Sequence, residues 1–152
     1  MKKQKKLLAY CGLYCGDCGG YSGEIAESAK NLDTVLKKYK FARTAHVLFS
    51  KELKEYKKFS TMLQFMTHMT CPTICRERKD GETTCETRKC CRKKGFYACY
   101  ECDSFESCEK LKTMEDLHRD SCIKNLKNIK EKGIETWLKT CKRYWFGRDV
   151  DD

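Results

Sequence analysis

Pairs of cysteines two or three residues apart are the part of this sequence best placed to do chemistry. Cys15-Gly-Asp-Cys18 and Cys99-Tyr-Glu-Cys102 leave two residues between thiols, and Cys71-Pro-Thr-Ile-Cys75 leaves three. One turn of chain can then offer two thiolates to one tetrahedral ion, which is how zinc is chelated. Cys11 stands upstream of the first pair. Cys85, Cys90 and Cys108 surround the last at wider spacing. The ten candidate ligands are therefore Cys11, Cys15, Cys18, Cys71, Cys75, Cys85, Cys90, Cys99, Cys102 and Cys108. Spacing identifies pairs but not how pairs combine. One grouping joins Cys15 and Cys18 with Cys71 and Cys75, and Cys90 with Cys99, Cys102 and Cys108. Cys11 and Cys85 are then further candidates. Cys90-Cys91 is a vicinal pair of which one thiol ligates and the other packs beside it, and Cys141 falls on an apolar helix face as a packing residue.

Thirteen cysteines in 152 residues leave few aliphatic and aromatic side chains for a core, since the apolar fraction of 40% includes them. A chain of this kind needs staples. The basic opening at Lys2–Lys6 is followed by only Leu7 to Tyr10 before Cys11, too short for the apolar part of an export signal, and no stretch approaches the ~20 apolar residues of a membrane span. The expected compartment is the cytoplasm, where thiols stay reduced and clustered cysteines serve metals rather than disulfides. The formal charge of +10 falls to about +6 if two sites each hold four thiolates and one divalent ion. Basicity is then a modest argument for nucleic acid. Protein and nucleic acid both stay open as partner classes, with nothing to suggest a membrane.

Around the cysteines the patterning is helical. Ile25, Ala29, Leu32, Val35, Leu36 and Tyr39 recur at helical spacing, with Ser22 placed to cap. A second run carries Ala45, Leu48, Phe49, Leu53, Tyr56, Phe59, Leu63 and Met66, with Ser60 as a restart point. Beyond Thr113, Leu117, Ile123, Leu126 and Ile129 form an apolar line ended by Gly133. Ile134, Trp137, Leu138, Cys141 and Trp145 make a last helix in which both tryptophans read as core. Cys71 to Cys108 has no clear period, and with Gly81 and Gly95 it suggests loops, short helices or a small hairpin. The expectation is a mainly α, single Cys-rich domain over 1–152, with a helical insert at about 22–69, a cysteine cluster at 71–108 and C-terminal helices at about 113–146.

Other chemistry is poorly supported. Cys11, Cys15 and Cys18 also match the spacing of radical S-adenosylmethionine enzymes, but those need a partial βα barrel, for which this chain is too short. A plain iron–sulfur cluster stays open, since thiolates hold both it and zinc. His46, His68 and His118 read as surface or core residues, although His68 lies three positions before Cys71. No nucleophile–base pair or phosphate-binding glycine motif is present. Gly12 and Gly16 follow candidate ligands and suit positive φ, which turns backbone N–H groups toward sulfur. Arg88, Lys89, Arg92, Lys93 and Lys94 would offset thiolate charge or form a nucleic-acid patch.

The opening Cys11-Gly-Leu-Tyr-Cys15-Gly-Asp-Cys18, then Cys85-Glu-Thr-Arg-Lys-Cys90-Cys91, Lys94-Gly95 and Cys99-Tyr-Glu-Cys102-Asp-Ser-Phe-Glu-Ser-Cys108-Glu-Lys-Leu111, resemble the prokaryotic cysteine-rich domain-of-unknown-function family numbered 3795. The resemblance covers most of the chain and implies metal binding through the ten cysteines named, without an established biochemical role. The sequence departs from the family pattern in the three residues between Cys71 and Cys75 and in Ser107, where a proline is common. The resulting expectation is a noncatalytic binding or adaptor module with structural zinc in two or more sites. The alternatives are an iron–sulfur or metal-dependent redox enzyme, and a zinc protein that binds nucleic acid.

Overall fold

A computed structural model describes residues 2–79 and 85–145. The described elements are helical: α1 (Lys2–Lys6), α2 (Gly19–Ser22), α3 (Glu24–Lys38), α4 (Phe41–Leu48), α5 (Tyr56–Met66), α6 (Glu86–Lys94), α7 (Glu109–Lys112), α8 (Glu115–His118), α9 (Ser121–Lys132) and α10 (Ile134–Thr140). Single 3-10 turns occupy Cys15–Asp17, Cys99–Glu101 and Phe105–Ser107. The fold is thus mainly α. The hairpin entertained for the cysteine cluster is replaced among the described residues by α6 and two 3-10 turns. An isolated antiparallel bridge pairs Leu8 with Tyr14. Gly81 and Phe146 lie outside the described residues, and α10 stops at Thr140, so Cys141 and Trp145 follow the last helix rather than lying on it. No described helix is long and apolar enough to cross a membrane.

The chain divides into two compact units, Met1–Cys18 with Thr73–Asp152, and Gly19–Pro72. In the first, the narrow loop between Leu8 and Tyr14 supplies side chains to two apolar clusters. Ala9, Cys11 and Leu13 join Cys91, Cys99, Phe105, Leu111, Cys122 and Leu126. Leu8 and Tyr14 join Ile129 and Trp137. Helix α9 serves both clusters from one face, since Cys122, Leu126 and Ile129 recur at helical spacing and are all buried. The predicted apolar line is split between two helices, with Leu126 and Ile129 buried on α9 as expected and Leu117 on the separate α8. Leu117 is exposed, whereas Asn125 is fully buried. Asn125 donates to the Tyr144 carbonyl at 2.8 Å and accepts from the Tyr144 N–H at 2.9 Å, which satisfies its amide and fastens the following segment.

Trp137 is fully buried and meets the Tyr14 ring edge-on at 6.0 Å between centroids. Trp145 packs partly buried against the first cluster. His118 is buried, with Nδ1 2.6 Å from the Trp145 carbonyl oxygen, so it is a core histidine. Gly133, at φ +77°, ends α9 as expected.

In the second unit α3 packs along α5, with α4 between them in sequence. The second apolar run is split. Helix α4 ends at Leu48 and α5 begins at Tyr56, passing through Ser60 without a break. Ser22 does not cap α3 in the usual position. Gly23 is the N-cap, and the Ser22 hydroxyl accepts from the Glu24 N–H at 3.4 Å. His68 turns its Nδ1 to the Gln64 carbonyl (3.1 Å) and the Thr67 hydroxyl (2.9 Å) at the end of α5.

Gly12 brings the N-terminal loop into close approach with α9. Its φ is +91°, and a Cβ there would stand 2.7 Å from Leu126 Cγ and 3.0 Å from the Cys122 carbonyl oxygen. Gly95 also has positive φ (+69°) but opens onto free space. Strain and overpacking together predict a loss of about 2–5 kcal/mol for Gly12→Ala, against about 1 kcal/mol for Gly95→Ala, where only the backbone conformation resists. Urea unfolding of the two variants at matched metal content checks this, and equal losses would contradict the close approach to α9.

Candidate metal centre

Both two-residue cysteine pairs take the same local shape. Tyr14 and Ala98 enter extended, the 3-10 turns Cys15–Asp17 and Cys99–Glu101 follow, and Cys18 and Cys102 leave extended. In each turn the second cysteine's N–H donates to the first one's carbonyl, at 3.1 Å in Cys15–Cys18 and 3.0 Å in Cys99–Cys102. Small turns of this kind hold two thiols on one side of the chain, because the bond closes the turn and leaves both side chains outside it.

The turns sit in different surroundings. Cys99-Tyr-Glu-Cys102 lies beside a small cavity of about 30 Å³, lined by Cys90, Cys91, Cys99, Cys102 and Cys108 with Phe96 and Phe105. Five thiols from α6, the Cys99 turn and the start of α7 therefore face one space. Cys91 Sγ and Cys99 Sγ are 3.4 Å apart. Four thiolates at the ~2.3 Å zinc–sulfur distance stand roughly 3.8 Å from one another, so this pair has nearly the separation of two ligands on one ion. The shared proton polarises the pair. The contact between the two sulfurs holds the Cys91 thiol below the ordinary range, while the same contact and burial push Cys99 well above it.

The N-terminal loop organises a second neighbourhood. Cys11 is buried, and its proximity to Cys122 together with burial raises its pKa well above the ordinary value. Burial raises Cys15, which the backbone N–H of Cys75 opposes, and the charges of Cys75, Cys11 and Cys18 act on it from nearby. Burial also raises Cys75, against the N–H of Tyr10 and the charge of Arg88, with Cys11 and Cys85 close enough to add to the rise. Cys11, Cys15, Cys18, Cys75, Cys85 and Cys122 are thus within electrostatic reach in overlapping sets. Raised values for neutral thiols mean that several negative charges there need a cation among them.

The residue after Cys75 is clamped. The Arg76 guanidinium stacks over Tyr97 at 3.8 Å and Tyr10 at 4.7 Å and donates to the Tyr97 carbonyl at 2.9 Å. Arg92 donates to the carbonyls of Arg76 (3.1 Å) and Arg78 (2.7 Å). The loop carrying Cys75 is therefore fixed to α6 and to the N-terminal loop. Arg143 holds the other side with two bonds to the Asp17 carboxylate, at 2.6 and 2.9 Å, inside the Cys15–Cys18 turn.

The N–H···S contacts expected from glycine geometry come mostly from other residues. Gly12 has the positive φ, but Gly16 does not. The donors are Tyr10 for Cys75, Cys75 for Cys15, Leu13 for Cys11 and Ser104 for Cys102. Of the basic group on α6, Arg88 is buried near Cys75, Arg92 is the clamp, Lys94 Nζ lies 4.0 Å from Cys102 Sγ, and Lys89 pairs with Glu86 at 2.9 Å.

Among the described residues, no three Cys, His, Asp or Glu side chains stand together as a finished coordination set. The donor chemistry nevertheless fits zinc. The Cys99 cavity offers five soft sulfurs around a volume of about one water molecule. Cys90, Cys99, Cys102 and Cys108 share that cavity. Cys15 and Cys75 are neighbours in the second set. Cys71 lies in the Gly19–Pro72 unit, where its N–H donates to the Gly20 carbonyl at 2.8 Å. The structure adds Cys122, which spacing passed over, and of the vicinal pair Cys90-Cys91 it sets Cys91 against Cys99. Their signal in the sequence was helical. Cys91 is buried on α6, and Cys122 is four residues before Leu126 on the buried face of α9.

The family model described as Protein of unknown function (DUF3795) matches residues 7–113. The chain belongs to this family. The matched span takes in both DUF3795 cysteine turns and stops before α9 and α10, so Cys122 and Trp137 lie outside it. No curated protein matches the chain significantly. No solved structure does so either.

Reactivity follows from these environments. Hydrogen bonds from the Ser104 hydroxyl and N–H, with Lys94 nearby, lower the Cys102 pKa, whereas Cys11 is buried and raised. The thiolate is the reactive form. In reduced protein as purified, before any chelation and at neutral pH, iodoacetamide should modify Cys102 before Cys11, and Ser104→Ala should slow Cys102, both read by peptide mass spectrometry. Modification of Cys11 first would contradict the assigned environments.

Proposed function

We propose that this DUF3795 protein is a cytoplasmic zinc-binding protein whose thiolate sites are structural, and that it works as a noncatalytic binding or adaptor module. The observation that carries the reading is the set of five thiols around one small cavity beside a Cys99–Cys102 turn built like the Cys15–Cys18 turn. The first site draws on Cys91, Cys99, Cys102 and Cys108, with Cys90 as an alternative to Cys91. The second draws on Cys11, Cys15, Cys75 and Cys85, with Cys18 and Cys122 adjoining. Zinc supplies the positive charge that lets these thiols ionise together, and ligands distant in sequence then become cross-links. Binding free energy of this kind is folding free energy.

Cys91 is preferred over Cys90 because it is buried and already paired with Cys99, whereas Cys90 is half-buried at the cavity edge. Four protein thiolates leave no open position for substrate, which is the mark of a structural site. Lys94 beside Cys102 and Arg88 beside Cys75 would reduce the remaining negative charge.

Metal analysis of anaerobically purified protein should give about two zinc ions per chain. Cys99→Ser should remove about one of them, Cys91→Ser should act similarly, and Cys141→Ser should leave the content unchanged. Chelation should cost helical signal in circular dichroism. Full structure without bound metal would overturn the proposal. A brown protein with visible sulfur-to-iron absorption would replace it with the iron–sulfur reading.

A further inference from the structure

The Gly19–Pro72 unit exposes most of the large apolar side chains that reach the surface, including Ile25, Leu32, Phe59 and Met66. These four border two cavities of about 410 and 400 Å³ along α3, and Leu32 lines both. The first is formed with Ala29 and Leu63, and the second with Phe41 and Leu53. Together they make a groove that follows α3. Fifteen residues of helix span roughly 22 Å at the α-helical rise.

The charge around this groove is unlike that of the unit. Residues 19–72 contain nine lysines and arginines against five carboxylates. The charged side chains lining the two cavities are nevertheless all glutamates, Glu24 at one end and Glu52 and Glu55 at the other. An apolar channel with acidic ends suits an amphipathic helix that carries an apolar face and basic residues flanking it.

The geometry points to this groove as a docking site for a basic amphipathic helix of a protein partner, about fifteen residues long and anchored over Leu32. The partner contributes apolar side chains at helical spacing, and its lysines or arginines meet Glu24, Glu52 and Glu55. This surface would be the working face of the adaptor, but it stands independently of the metal reading, because none of its residues is a candidate ligand.

Fluorescence anisotropy of the full chain with a labelled fifteen-residue leucine–lysine amphipathic peptide tests the assignment, with a leucine–glutamate peptide of the same apolar face as control. The lysine peptide should bind saturably and at least roughly tenfold more tightly than the glutamate peptide. Leu32→Asp and Glu52→Lys should each weaken it several-fold at unchanged circular dichroism. Both positions are exposed, and Glu52→Lys serves should Leu32→Asp fail to fold. Equal binding of the two peptides, or binding indifferent to Glu52→Lys, would overturn the proposal. So would a wild-type dimer in sedimentation that Leu32→Asp abolishes, which would assign the groove to a second copy. Binding of a fatty acid with no binding of the lysine peptide would assign it to a lipid chain.

Discussion

The constraint that shapes the first unit is the burial of many thiols close together. A neutral thiol is a modest hydrophobe and packs readily beside leucine and phenylalanine. A thiolate in the same place is costly unless a cation or N–H donors surround it. Cys11, Cys91, Cys99 and Cys122 all lie in the apolar cluster that also holds Leu126 and Phe105. The core and the candidate ligands are therefore largely the same residues, and any charge they take on is decided inside the core.

This arrangement explains why the polar scaffolding is concentrated around the cysteine turns. Arg76, sandwiched between Tyr10 and Tyr97, and Arg92, bonded to two carbonyls, hold the backbone beside Cys75. Arg143 and Asp17 do the same for the Cys15 turn from the far end of the chain. Long side chains are costly to order. Ordering them here fixes the backbone that carries Cys15, Cys18 and Cys75.

The helical insert follows another logic. Its buried residues are few and small, chiefly Ala26, Ala29 and Ala45 with Leu63. Much of its larger apolar surface faces outward. A short helical unit that leaves leucine, phenylalanine and methionine exposed retains free energy that only a further surface can recover. Among the described residues, the larger buried side chains are concentrated in one unit and the exposed apolar ones in the other.

Cysteine spacing and helical periodicity were enough to establish the α character, the two cysteine turns, the stop at Gly133 and the core role of Trp137, because each depends on neighbours within a turn or two. The set of thiols around the Cys99 cavity was partly legible for the same reason, since Cys99, Cys102 and Cys108 are close in sequence. What remained hidden depended on packing between distant segments. Cys91 and Cys122 acquire their importance from helix faces that meet Cys99 and Cys11, and the placement of Cys75 beside Cys15 comes from a loop clamped by arginines. Asn125 turns inward on α9 beside Leu126 because Tyr144, nineteen residues on, satisfies its amide, a partner that local periodicity does not reveal. Local spacing dictates which thiols one turn can present, and only the tertiary structure decides which turns face one another.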